Sequence, residues 1–358
     1  MSKALPSASG YFRNAYADEF RLIETRFARI STALFALFLM TFPLYGNPFY
    51  IDLAAQVFLA SIGALALMLL TGIAGQVSLG HSGLIAAGAF TAGILFKEYA
   101  LPFWITIPAA ALTGALLGLI FGLPSLRLRG LYLAVSTLAL HFVVVYIGGE
   151  YETKRGFSTG ILVDPPMIFG WEVYSTEAWY FVLLAAALVT LLICINLMRS
   201  RSGRAWRAIH ANETVAEALG INIALYKLLV FVVSSSLTAV AGALFAYYRG
   251  FVSIEAFSLY LTIQYVAMII IGGMGSLLGA LLGAAFVTLF PYVIEGLMES
   301  VPGAQNFIGS IFAVNYAAFG LVMILFLVFE PLGLVGIWHR IRDYFILWPF
   351  RYRPVGSR

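Results

Sequence analysis

The chain has 358 residues, 61% of them hydrophobic and 11% charged, with a formal net charge of +4 and a mean hydropathy of +0.93. A soluble domain carries about 25% charged residues, so this composition excludes a soluble globule and places the chain among membrane proteins. The pI ≈ 9.1 does not indicate nucleic-acid binding, because the basic residues fall at the edges of apolar runs and not in one patch.

In chain order, residues 1–29 come first. They are polar and carry both signs (Lys3, Arg13, Asp18, Glu19, Arg21, Glu24, Arg26, Arg29). That is too long and too acidic for a cleavable signal, so the next apolar run is expected to stay as an anchor. A spanning helix needs roughly 20 mostly apolar residues. Ten candidates follow, near 30–46, 49–71, 77–96, 101–123, 131–148, 178–198, 227–247, 259–272, 277–296 and 307–329. The third opens on Ser78, Gly80, His81, Ser82 and Gly83 and is expected to be irregular there. The eighth is short, which suits a broken, re-entrant or inner helix. The 34 glycines suit close helix packing in a membrane. Cys194 lies in an apolar run and reads as a small buried hydrophobe; as the single cysteine it excludes an intrachain disulfide.

Charge sets the expected orientation. With ten spans and the N-terminus inside, the inside segments hold 17 of the 21 Lys and Arg: five in 1–29, two in 124–130, five in 199–227 and five in 330–358. Only Lys97, Lys154, Arg155 and Arg249 fall outside. That asymmetry follows the positive-inside rule. The expected fold class is therefore all-α: a polytopic membrane bundle of about ten transmembrane helices with both termini cytoplasmic. Its parts are an N-terminal segment 1–29, a transmembrane domain 30–338 and a C-terminal tail 339–358.

Two polar segments interrupt the spans. The outer one, 149–177, carries five acidic residues with Pro165-Pro166 and Trp171. It reads either as a solvated cap or as a docking surface for an external partner. The inner one, 199–227, is expected to form a helix from about Gly203 to Leu219, with Gly220 as its C-cap. Ala205, Ala208, Ile209, Val215 and Leu219 form a broken apolar stripe, with Trp206 beside it. Arg199 to Arg207 alone would suit anionic lipid. Glu213 and Glu217 face no nearby cation in the sequence, which suits docking of a partner instead.

No chemical site emerges. There is no G-x-x-x-x-G-K-[S/T] phosphate loop, and the glycine-rich 272–283 stretch lacks a lysine. Neither a metal-ligand spacing nor a G-x-S-x-G elbow occurs. Mid-membrane ionisable groups, costly at about 2.5–3.5 kcal/mol on insertion scales, are almost absent. This argues against a proton relay and for energy supplied from elsewhere. The remaining intramembrane polar residues are mild. His81, Ser82, Ser136, Thr137, His141 and Gln264 are the candidates for lining a pathway; Ser234, Ser235, Ser236 and Thr238 suit interhelical hydrogen bonds.

The stretch SGRAWRAIHANETVAEALGI (202–221) resembles the cytoplasmic coupling loop of permeases from branched-chain amino acid ABC importers. Similar matches run through 70–95, 126–140, 237–253, 270–291 and 329–338, so the resemblance covers roughly 30–338, on the pattern of the longer of two paired permease types. It implies a transport subunit that is not an enzyme and binds no cofactor, with ATP held by two partner ATP-binding cassette subunits. It also implies a second permease subunit, a periplasmic solute-binding protein and a bacterial inner-membrane location. Gly203, Arg204, Arg207, Glu213, Ala216, Glu217, Ala218 and Gly220 fall in the implied ATPase-coupling helix. His210 and Thr214 depart from the family pattern around that core. The other reading of the residues is a channel or secondary transporter for a small polar solute such as urea.

Overall fold

A computed structural model describes residues 26–126, 130–157, 160–168, 170–300 and 311–347. The described chain is almost wholly helical. Its helices are α1 (Arg26–Tyr45), α2 (Pro48–Leu67, continuing as a π-helical turn Met68–Ile73), α3 (His81–Tyr99), α4 (Phe103–Ser125), α5 (Leu131–Arg155) and α6 (Thr176–Arg199). Two short helices, α7 (Arg201–Ala211) and α8 (Glu213–Ala218), precede α9 (Ile223–Arg249). The remainder are α10 (Leu259–Gly272), α11 (Leu277–Ser300), α12 (Ile311–Phe329) and α13 (Gly333–Leu347).

Among the described residues six helices are long and apolar enough to cross a membrane: Pro48–Ile73, Phe103–Pro124, Tyr132–Arg155, Thr176–Arg199, Ile223–Arg249 and Leu277–Met298. Ala313–Phe329 and Gly333–Arg342, bent by 53° at their break, make a seventh if taken as one span. The other expected spans take different forms. Ile30–Tyr45 and Leu259–Gly272 are shorter apolar helices. The third begins at His81, not residue 77, after an irregular stretch that includes Ser78 and Gly80, and carries Lys97 and Glu98 at its far end. Leu259–Gly272 is continuous, but 14 residues rise only about 21 Å.

The centre of the bundle is α2 and α3. Every residue from Leu59 to Leu70 and from Gly80 to Phe90 is buried. Helix α9 packs along both and along α4; α6 and α11 close the other sides of α2. The α3–α9 crossing depends on glycine. A Cβ on Gly88 would stand 1.9 Å from the Ala239 carbonyl oxygen, and one on Gly242 would stand 1.9 Å from that of Ile85. Two backbones meet where most residue types would hold them apart.

At one end, α5 runs to Arg155, seven residues past its expected limit of 148. A Glu150–Lys154 ion pair of 3.0 Å supports the extension, and Gly156 closes it in the left-handed conformation (φ 71). The 149–177 segment is therefore partly helical. Further along it, Ile161 and Leu162 pair antiparallel with Val252 and Phe251, and Met167 and Ile168 pair antiparallel with Glu172 and Trp171.

Candidate functional site

The 199–227 segment forms two helices where the sequence suggested one. Ser200 caps α7, its Oγ accepting from the Gly203 amide at 3.4 Å. Asn212 then leaves the helical region (φ −164, ψ 113), and its Oδ1 accepts from the Val215 amide at 3.1 Å. Asparagine is among the best N-cap residues and Glu213 in the first turn suits the helix dipole, so the chain restarts a helix here. The break re-aims the expected apolar stripe. Ala205, Trp206, Ile209 and Ala216 are buried, whereas Val215 and Leu219 are 54% and 74% exposed.

Three contacts fix this unit to the bundle. Trp206 is fully buried, and its Nε1–H donates to the Tyr226 carbonyl of α9 at 2.9 Å. His210 Nδ1 lies 3.0 Å from the Ile73 carbonyl at the end of α2. A carbonyl only accepts, so Nδ1 carries the proton. The ring covers Gly75 (φ 70), where a Cβ would come within 2.8 Å of it. Lys227 Nζ lies 2.5 Å from Glu213 Oε1. This corrects the expectation that Glu213 faces no cation. Gly220 (φ 81) turns the chain so that α9 brings Lys227 back beside α8. The same turn bonds the Gly220 amide to the Glu217 carbonyl at 2.9 Å and the Ile221 amide to that of Ala216 at 3.1 Å.

Arg204 and Arg207 look inward to the preceding helix. Arg204 Nη1 donates to the Arg199 carbonyl at 2.9 Å, and Arg207 Nη2 to that of Met198 at 3.1 Å. Both complete acceptors at the C-terminus of α6, where cations are favoured. Gly203 is buried against Met198, whose carbonyl oxygen a Cβ would meet at 2.4 Å. Glu217 and Ala218 are exposed. Together with Val215 and Leu219 they leave a mixed apolar and acidic surface on α8.

The candidate pathway residues divide into two groups. Ser82 Oγ lies 2.9 Å from His141 Nδ1 and accepts from Thr262 Oγ1 at 2.7 Å; the Ser82 amide donates back to Thr262 Oγ1 at 3.0 Å. This cluster joins α3, α5 and α10, and all three side chains are buried. Thr137 stands one turn away, accepting from the Leu79 amide at 2.9 Å, where the irregular start of α3 leaves a donor unpaired. The His81 ring packs against that of Tyr265 in a tilted contact, centroids 4.7 Å apart and planes 60° to one another. Ser136 is half-buried outside this cluster.

Gln264 belongs elsewhere. It lines a cavity of ≈ 360 Å³ between α2, α3, α9, α10 and α11 that also reaches Gln56, Tyr248, Arg249, Tyr265, Thr288, Tyr292 and Glu295. Leu59, Ile85, Met268 and Val287 supply apolar walls. At its rim Gln56 Nε2 donates to Asp52 Oδ2 at 2.9 Å, Tyr292 OH donates to Gln56 Oε1 at 3.2 Å, and Tyr248 OH donates to Asp52 Oδ1. Neither Thr262 nor this rim was singled out in the sequence. Asp52 and Gln56, four residues apart in the first turns of a span, were the available signal.

The family described as "Branched-chain amino acid transport system / permease component" matches residues 49–328. The high-affinity branched-chain amino acid transport system permease protein LivM of Salmonella typhimurium is 29% identical over 309 residues, covering 80% of this chain and 69% of that protein. A probable branched-chain amino acid transport permease protein LivH of Methanocaldococcus jannaschii is 25% identical over 270 residues, covering 71% and 82%. The autoinducer 2 import system permease protein LsrC of an Enterobacter species is 29% identical over 247 residues, covering 66% and 67%. No solved structure matches the chain.

Proposed function

The chain belongs to the branched-chain amino acid transport permease family, and from that premise we propose that it forms half of the pathway of an ATP-driven importer for branched-chain or related amino acids. The proposed domain is 30–338, with ten membrane segments and both termini in the cytoplasm. Helices α1, α3 and α10 are its three short or sheltered members. The proposed location is a bacterial inner membrane. Proposed partners are a second permease subunit, two ATP-binding cassette subunits that hold the ATP, and a periplasmic solute-binding protein.

One observation carries the coupling role. The α7–α8 unit is anchored by Trp206 and His210 to the ends of two buried helices, α9 and α2, while Val215, Glu217 and Leu219 remain exposed. An exposed apolar group beside a carboxylate, on a unit fixed rigidly to the bundle, suits a partner that pushes. Membrane lipid would suit the Arg201 end better than the acidic α8. In this reading the ATPase grips α8, and Trp206 and His210 pass the displacement to α9 and α2.

The deciding experiment uses the assembled complex in proteoliposomes. Glu213→Ala with Gly220→Pro removes the ion pair to Lys227 and the left-handed turn. ATP-dependent uptake of leucine is expected to disappear and ATPase co-purification to weaken. Unchanged uptake with no ATPase bound overturns the coupling role.

A further inference from the structure

The cavity at the Arg249 end of α9 has the composition of a solute site. Its ≈ 360 Å³ lies at the low end of the range for small-molecule pockets, about 300–1,000 Å³. Most of its wall is apolar, contributed by Leu59, Ile85, Met268 and Val287, and the ring of Tyr265 helps to close it. A charge of each sign stands at the wall. Arg249 is the last residue of α9 and Glu295 lies in the last turns of α11. Among the described residues neither forms an ion pair.

Arg249 is held over the rings of Phe245 and Tyr248 at 5.9 and 5.8 Å. That contact uses the charge of the guanidinium and none of its five N–H donors. Asp52, by contrast, already accepts from Gln56 and Tyr248. Glu295 is therefore the carboxylate at this wall whose acceptors remain for a ligand.

We propose that this cavity is an outer vestibule that holds a zwitterionic α-amino acid with an aliphatic side chain. Arg249 takes the carboxylate, Glu295 takes the ammonium group, and the side chain lies against Leu59, Ile85, Met268 and Val287. The proposal rests on the permease reading and extends it to a place and a chemistry. A solute lacking either charge leaves Arg249 or Glu295 unmatched, and a polar side chain meets an apolar wall. The permease itself thus filters its cargo.

The test uses the intact complex carrying Thr288→Cys, labelled from outside with a membrane-impermeant maleimide. Native Cys194 is buried and contributes little background. Leucine at ten times its Kd is expected to slow labelling about tenfold. 4-Methylpentanoate, which lacks the ammonium group, and 3-methylbutylamine, which lacks the carboxylate, are expected to leave the rate within about twofold. Arg249→Gln should abolish protection by leucine and Arg249→Lys should restore part of it. Gln264→Cys repeats the measurement at a second position. Equal protection by all three probes, no protection by leucine, or no labelling without solute each overturns the proposal. Leucine uptake driven by ATP is followed in the same complex. Uptake without protection refutes the vestibule alone, and protection without ATP-driven uptake refutes the importer reading alone.

Discussion

Trp206→Ala tests whether the inner unit is fixed to the bundle by the contact that the structure gives it. Trp206 is fully buried and donates one hydrogen bond, at 2.9 Å, to Tyr226. Truncating a buried tryptophan to alanine costs about 3–5 kcal/mol, of which the hydrogen bond contributes about 1 kcal/mol. The two remaining anchors, His210 on Ile73 and Lys227 on Glu213, keep the segment nearby but bury little apolar surface. If the loss falls on local docking, the undocked population rises by about 10²–10³-fold or more. Amide hydrogen exchange over 201–211, read by mass spectrometry in nanodiscs, should speed up accordingly. ATP-dependent uptake should fall while the complex still hydrolyses ATP. Trp206→Phe keeps most of the ring and should show only the hydrogen-bond share. Val215→Ala changes an exposed side chain, should leave exchange unaltered within about 0.5 kcal/mol, and should loosen ATPase co-purification. The reasoning fails if Trp206→Ala leaves both exchange and uptake at parental values.

Four further outcomes follow from the packing and the charge pattern. Gly242→Ala places a Cβ 1.9 Å from the Ile85 carbonyl oxygen, so the purified protein should lose its monodisperse peak; Gly320→Ala, with nothing within 4 Å, should behave as the parent in the same chromatography. A double-mutant cycle of Ser82→Ala and Thr262→Val, read by thermal unfolding in detergent, should give a coupling of about 0.6 kcal/mol, the usual size for such a bond between membrane helices; strict additivity would refute the bond. For topology, Lys154→Cys should label from outside and Val215→Cys only after permeabilisation, both sites being well exposed; the reverse pattern would refute the ten-segment arrangement. Tyr248→Phe removes the hydrogen bond to Asp52 and should raise the ATP hydrolysed per leucine imported, measured in proteoliposomes, without altering ATPase binding.

The sequence made the membrane class legible because apolar runs of spanning length cannot be hidden. It also placed α10 at 259–272, since Ser258 and Gly273 bound that run sharply. The break at Asn212 was harder. Asparagine followed by glutamate is an N-cap signal, but a broken apolar stripe running on to Leu219 suggested one helix. The consequence was large, because continuity put Val215 on the same face as Ala208, seven residues earlier, and the break turns it outward. Lys227 opposite Glu213 was invisible for a different reason: the pair is 14 residues apart and meets only because Gly220 reverses the chain. For the pathway candidates, spacing along one helix showed neither that Ser82, His141 and Thr262 meet nor that Gln264 faces a cavity. Those are properties of three and five helices together.

The two ends of the bundle are linked by the same pair of helices. Trp206 and His210 hold one end each of α9 and α2. The opposite ends of these two helices carry Tyr248 and Arg249 on one side and Asp52 and Gln56 on the other, and Tyr248 is hydrogen-bonded to Asp52. Between the ends, Gln76 Nε2 donates to the Lys227 carbonyl at 3.4 Å and Ser234 Oγ to that of Ala66 at 2.7 Å. Helices of 26 and 27 residues span about 40 Å, so tied at three levels they transmit a turn at one end as a displacement at the other. The cavity is completed by α10, α11 and Ile85 of α3. Tyr292 ties the α11 wall to Gln56 of α2 across the rim. In the proposed importer, a push on the α7–α8 unit therefore reaches the vestibule through α2 and α9, and it needs no charged relay through the membrane.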